Sequence, residues 1–136
     1  MVVLRLTARH RGSAIGDLNG DGRLDVVVTA LSAPAEIWMN DSPGGNHWIE
    51  FQLEGTKSNR DAIGARIKVM AGSKAQYDHV VFASGYASSS AGPVHFGLGS
   101  AKVASLVEIR WPSGMVQELK DIPADRVVKV KEPRKN

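Results

Sequence analysis

Apolar and polar residues alternate with a period of two in Ile49-Glu50-Phe51-Gln52-Leu53-Glu54, in Ala65-Arg66-Ile67-Lys68-Val69 and in Val107-Glu108-Ile109-Arg110-Trp111. Successive side chains of a strand point to opposite faces, so each run predicts a strand with one wet and one buried face. Strand-like segments recur at roughly 24–30, 35–39, 47–54, 63–71, 76–83, 93–98, 104–111, 115–119 and 126–132, and no window sustains a helical period. Turn signals fall between them: Ser42-Pro43-Gly44-Gly45, Ala71-Gly72-Ser73, Pro112-Ser113-Gly114 and Asp121-Ile122-Pro123. Pro112-Ser113-Gly114 reads as a tight hairpin. The chain is all-β, and short antiparallel strands at this pitch predict a sandwich or a barrel.

A composition shift near residues 41–46 divides the chain into a part at 1–45, with two or three strands, and a part at 46–136 with the rest. So few strands cannot bury both faces of a sheet, so the first part must pack on something. The whole is 136 residues, 43% hydrophobic and 23% charged, an ordinary balance for a folded chain with a real core. The absence of cysteine excludes disulfides and thiolate metal sites and leaves the compartment open.

The net charge of +3 is spread along the chain without the basic, aromatic-interleaved stripe of a nucleic-acid binder. Lys129, Lys131, Arg134 and Lys135 form the only local cluster; Glu132 and Pro133 break it, and it reads as a solvated tail. No run approaches the ~18 apolar residues of a membrane span. Arg5, Arg9, His10 and Arg11 leave no room near the N-terminus for the apolar core of a secretory signal.

The most informative chemistry lies in Asp17-Leu18-Asn19-Gly20-Asp21-Gly22-Arg23-Leu24-Asp25. Asp17, Asn19, Asp21 and Asp25 bear side-chain oxygens at alternate positions, and Gly22 sits where a sharply curled loop needs unusual backbone angles. Calcium takes six to eight oxygens at ~2.3–2.6 Å, so these side chains and the Arg23 carbonyl form a candidate calcium set. Carboxylates packed this closely repel by ~3 kcal/mol per pair at ~5 Å and an effective dielectric near ~20, a conflict that a dication removes. An EF-hand opens the same way but carries Glu at its twelfth position, where this chain has Val28. The β-branched Val26-Val27-Val28-Thr29 favours a strand after the loop, and Ser13-Ala14-Ile15-Gly16 makes a poor helix before it. The loop is therefore expected to join two strands. An Asp/Asn/Gly turn that binds nothing stays open beside the calcium reading.

With these residues in view, 13–40 resembles one FG-GAP (VCBS-type) repeat, the calcium-loop blade unit of integrin-like β-propellers. The likeness rests on Gly16 to Asp25, on Val26-Val27-Val28, and on Glu36-Ile37-Trp38-Met39-Asn40 as the outer strand. Residues from about 46 to 132 resemble the ASPIC/UnbV domain, which follows such repeats in the cartilage acidic protein group. Its matching stretches are Asn46-His47-Trp48, Asn59 to Arg66, Gly85-Tyr86, His95-Phe96-Gly97-Leu98-Gly99 and Arg110-Trp111-Pro112-Ser113-Gly114. The resemblance implies an extracellular or periplasmic, calcium-dependent interaction module and hands over no catalytic mechanism. Relatives carry several repeats and an export signal where this sequence has one repeat and no signal. The expectation is a fragment of a longer exported protein, or a compact product whose half-blade is covered in a homodimer.

Among the other candidates, Asn59-Arg60-Asp61 reads as a turn in which Asp61 caps backbone N–H groups and Arg60 pairs with a carboxylate, against a binding loop as the alternative. Trp111, in register with Val107 and Ile109, is expected in the core, and Trp38 and Trp48 beside the composition break are read as buried seam residues. His95 is read as structural, and His10, His47 and His79 lack the spacing of a zinc site. Ser88-Ser89-Ser90 lacks the strained elbow of a nucleophilic serine. The reading is a non-catalytic, calcium-binding module for protein or glycan interaction. Two alternatives stand beside it: a carbohydrate-binding domain using Trp38, Trp48 or Tyr86, and a hydrolase with a carboxylate pair.

Overall fold

The computed structural model describes residues 9–134; the segment up to Ala8 and Lys135 of the basic tail lie outside the described residues. These residues form ten strands and no helix: β1 (Arg9–Gly16), β2 (Asp25–Leu31), β3 (Ala33–Trp38), β4 (His47–Glu54), β5 (Arg66–Ala71), β6 (Lys74–His79), β7 (Val94–Gly99), β8 (Val103–Arg110), β9 (Val116–Pro123) and β10 (Arg126–Lys131). They fall into two compact units, one comprising residues up to Ser42 with Ala83–Ser90, the other Pro43–Phe82 with the chain from Ala91 onward.

The first unit is an antiparallel sheet in the order β1-β2-β3, with Ile15 opposite Val26 and Val27 opposite Ile37. The acidic loop joins β1 to β2, a turn between two strands as its flanks predict. The reach of β1 back to Arg9 was not legible, because Arg9-His10-Arg11-Gly12-Ser13 is polar and carries glycine. That stretch is a strand through its pairing with the β-branched run of β2. Ile15, Leu31 and Ile37 remain 54%, 54% and 62% exposed, so this small sheet does not bury its apolar side chains by itself.

The second unit holds two sheets, β10-β4-β7 and β6-β5-β8-β9. Their inward residues share one core: Ile49, Phe51 and Leu53 of β4, Phe96 and Leu98 of β7 and Val130 of β10 belong to it with Ile67 and Val69 of β5 and Val107 and Ile109 of β8. Phe51 and Phe96 meet edge to face at 6.0 Å and 73°, a geometry that suits the ring quadrupoles. This is a sandwich, not a closed barrel.

One pairing departs from the antiparallel expectation. β10 runs parallel to β4, from Arg126 opposite Ile49 to Lys131 opposite Glu54. Alternation looks the same whichever way the neighbour runs, so the direction is invisible to it. The hairpin at Pro112-Ser113-Gly114 forms as expected: Gly114 N–H donates to the Trp111 carbonyl at 2.9 Å and Trp111 N–H to the Met115 carbonyl at 2.9 Å. Gly114 closes it at φ +87°, a backbone angle that glycine takes without a Cβ penalty. Trp111 is 3% exposed and its indole N–H donates to Gln117 Oε1 at 3.0 Å, as a core tryptophan with a polar handle should.

Candidate functional site

The acidic loop curls around one carboxylate. Asp17 Oδ1 accepts the N–H groups of Gly20 at 2.7 Å and Asp21 at 3.1 Å, and its Oδ2 accepts that of Gly22 at 2.7 Å. Gly20 and Gly22 stand at φ +75° and +84°, which lets three successive amides turn toward a single side chain. Asn19 Oδ1 accepts the Asp21 N–H at 3.2 Å, while its Nδ2 donates to Asp21 Oδ2 at 2.7 Å.

Asp21 is further engaged by Arg23, whose backbone N–H donates to Oδ1 at 2.9 Å and whose guanidinium reaches Oδ2 at 2.5 Å. The Arg23 amide is the largest influence on the Asp21 carboxyl; together with the Asn19 side chain and the guanidinium it outweighs desolvation and holds the group below the usual carboxylate range. Arg23 thus engages Asp21 through its backbone N–H and its side chain, in addition to the carbonyl that the motif offers as a ligand. Asp25 is 1% exposed and ties the loop to its surroundings, with Oδ2 on the Leu18 N–H at 2.9 Å and Oδ1 on the Asn40 N–H at 2.8 Å. Arg23 Nε donates to the Asn40 carbonyl at 2.6 Å. Asn40, quoted in the motif only as the end of an outer strand, is thus the second anchor of the loop.

The donor chemistry suits calcium: Asp17, Asn19, Asp21 and Asp25 are hard oxygen ligands, and carboxylate oxygens already holding one N–H keep further acceptor capacity. The arrangement is nonetheless that of a loop closed on its own amides. Among the described residues no group of three or more His, Asp or Glu side chains is gathered as a metal centre.

The Ser88-Ser89-Ser90 segment has a structural role that its sequence did not signal. Ser88 Oγ accepts the Ser13 N–H at 2.9 Å and Ser90 Oγ accepts the Ile15 N–H at 3.2 Å, so serine hydroxyls cover part of the β1 edge. Open strand edges are pairing liabilities, and this cover blunts one. A Cβ on Gly12 would stand 3.0 Å from the Ala87 carbonyl, which marks how closely the segment lies on β1.

The strongest polar network was missed altogether. Glu132, read as a break in a solvated basic tail, is 1% exposed. Its Oε2 accepts the N–H groups of Thr56, Lys57 and Ser58 at 2.8, 2.9 and 2.8 Å, and its Oε1 accepts the hydroxyls of Ser58, at 3.0 Å, and Ser113. Burial, the largest single influence, pushes this carboxyl up; the donors led by the Ser113 hydroxyl outweigh it and lower it to about 2. The signal was present in the alternation, since Val128, Val130 and Glu132 share one strand face.

In the Asn59-Arg60-Asp61 turn the cap is Asn59, not Asp61: Asn59 Oδ1 accepts the Ile63 N–H at 2.8 Å and its Nδ2 donates to the Ile63 carbonyl at 2.9 Å. An amide can both accept and donate, which a carboxylate cannot. Trp38 and Trp48 are half-buried where full burial was expected; Trp38 donates its indole N–H to Glu36 Oε2 at 3.2 Å, and Trp48 stacks on His95 at 6.1 Å and 9°. Tyr86 is 75% exposed. His47 Nδ1 lies 2.7 Å from Asp125 Oδ2, a pair formed between β4 and the turn before β10. No helix among the described residues is long and apolar enough to cross a membrane.

Comparison with known proteins matches residues 55–136 to the family model "ASPIC and UnbV" and residues 11–46 to "FG-GAP repeat". Cartilage acidic protein 1 of Xenopus tropicalis is 28% identical over 112 residues, 79% of this chain and 17% of the relative. The Homo sapiens protein of that name is 27% identical over 110 residues, 78% of this chain and 16% of its own length. The chain thus spans 17% or less of these two relatives. With the ASPIC and UnbV match running over more than half of its residues, on a sandwich preceded by an FG-GAP sheet, the chain belongs to the ASPIC and UnbV family.

Proposed function

We propose that this chain is a non-catalytic, calcium-stabilised interaction module that works as part of an extracellular or periplasmic assembly. The observation that carries the reading is the curl of three amides around Asp17, which brings Asn19 and Asp21 into the same short loop. Asp17, Asn19, Asp21 and Asp25 would hold the ion through side-chain oxygens, with the Arg23 carbonyl as a further donor. When bound, calcium supplies positive charge that relieves repulsion between the carboxylates and makes the loop rigid.

The interaction role is supported by the ASPIC and UnbV and FG-GAP matches, and the extracellular setting by relatives named for cartilage. The non-catalytic role is supported by the state of two of the three buried acids among the described residues: Asp25 and Glu132 are engaged by backbone and hydroxyl donors, which suits structural work rather than proton transfer. The exposed Ile15, Leu31 and Ile37 suit a blade that packs on further repeats or on a second copy.

Isothermal calorimetry with Ca²⁺ on the full chain tests the ion. Saturable binding with a dissociation constant of ~10⁻⁴–10⁻³ M, lost in Asp17→Ala, is expected. Absence of binding at millimolar calcium would leave an Asp/Asn/Gly turn that serves only the backbone.

A further inference from the structure

We infer that the outward face of β6-β5-β8 is a recognition surface for an acidic polysaccharide. This rests on the interaction-module reading and gives it a ligand class. The pairing registers place Arg66 opposite His79 on one side and opposite Arg110 on the other. Three strands thus set two guanidinium groups and an imidazole in one cross-strand row. Their side chains share the face opposite Ile67, Val69 and Ile109, which are buried in the core. Like-charged residues directly opposite one another destabilise a sheet, so the Arg66–Arg110 pair carries a repulsion, eased in part by Glu108, that an anion laid across it relieves further.

The next row supplies the rest of a sugar site. Lys68 stands opposite Tyr77 and Glu108. The Tyr77 ring is 72% exposed with the Lys68 ammonium 5.9 Å from its centroid, an aromatic platform carrying a cation. Glu108 occupies Arg110, accepting from its Nε at 2.7 Å, and Asp78 stands 3.6 Å from the His79 ring. Arg66, between them, makes no ion pair with any described residue, so its fork of donors remains for a ligand carboxylate or sulfate. These residues line an open concavity of about 650 Å³. It lacks the apolar anchor pocket typical of protein hot spots. Cations for acid groups beside an exposed ring for a pyranose face fit an acidic sugar chain better than a peptide.

Titration of the full chain with a heparin-derived hexasaccharide at low salt tests this, with binding followed by calorimetry and mapped by amide chemical shifts. Saturable binding with shifts centred on β5 and β6 is expected. Arg66→Glu should weaken it about tenfold or more, the loss expected when a charge-assisted contact becomes a repulsive one. Its melting temperature should hold or rise, because the new carboxylate sits between His79 and Arg110. Arg66→Gln should weaken binding less, and Lys129→Glu, which lies on β10 outside this face, should leave it unchanged. Equal affinity of Arg66→Glu and the parent chain, shifts centred elsewhere, absence of binding, or tighter binding of poly-glutamate would each overturn the inference. Parallel titrations in chelator separate the two readings: binding retained without calcium supports this face independently of the acidic loop, since every residue it uses lies in β5, β6 or β8.

Discussion

Glu132 Oε2 accepts the N–H of Ser58 at 2.8 Å, joining the chain just after β10 to the loop that follows β4. The same carboxylate holds the neighbouring amides of Thr56 and Lys57 and the hydroxyl of Ser113 in the β8–β9 hairpin, so one side chain fastens both sheets of the sandwich. Glu132→Gln keeps the volume but turns an N–H₂ group or a weaker acceptor toward these donors. Leaving buried donors unmatched costs about 1–3 kcal/mol each, so a total loss on the order of 2–4 kcal/mol is expected in urea unfolding. An unchanged midpoint would show that the network contributes little.

The same group sets an acid limit. Its carboxyl is lowered from an ordinary value of 4.5 to about 2, so the folded state favours the ionised form. That contribution is fully present above the unfolded value and is lost as pH falls from about 4.5 through about 2. Urea midpoints measured down this range should fall more steeply for the parent chain than for Glu132→Gln, which has no proton to take up there. Parallel curves would remove Glu132 from the acid response.

Gly55 precedes this amide cluster, and an added Cβ would stand 2.1 Å from the Asn59 carbonyl oxygen. Both atoms belong to a turn fixed by the Gly55 N–H donating to the Arg60 carbonyl at 2.9 Å, so neither can move without opening it. Gly55→Ala is expected to destabilise by roughly 3 kcal/mol or more, readable as a lowered melting temperature in calorimetry. Gly72→Ala, whose Cβ would meet nothing, should cost much less, on the order of 1 kcal/mol for the strain of its φ of +57°.

On the proposed calcium reading, Arg23 and the ion compete for Asp21. The guanidinium contact at 2.5 Å would have to loosen for an ion to approach Oδ2. Arg23→Ala is therefore expected to raise calcium affinity about two- to fivefold, the scale of an exposed ion pair. It should also weaken the loop's hold on Asn40. Calorimetric titration of both chains checks this, and lower affinity in the variant would mean that Arg23 orders the site rather than opposing it.

The serine cover of β1 predicts a local effect. Ser88→Ala with Ser90→Ala removes the acceptors of the Ser13 and Ile15 amides, whose bonds measure 2.9 and 3.2 Å. Hydrogen exchange at those two amides should quicken about tenfold, a loss of roughly 1 kcal/mol of local protection, with little change in the β4 amides. Uniform acceleration would indicate global destabilisation instead.

The all-β class, the core faces of β4, β5 and β8, the hairpin at Gly114, the acidic loop between two strands and the likeness to two families can all be read from the order of residues. All of these rest on short-range patterns: a period of two, turn chemistry, and oxygens at alternate positions. Only the folded arrangement settled the parallel β4–β10 pair, the reach of β1 back to Arg9, the Asn59 cap and the row of His79, Arg66 and Arg110. The alternation placed Glu132 on the face of Val128 and Val130, but only the fold supplied its partners, which lie 74 to 76 residues away for the loop amides. The physical reason is that a carboxylate is costly to bury until distant donors converge on it, and local sequence carries no record of that convergence.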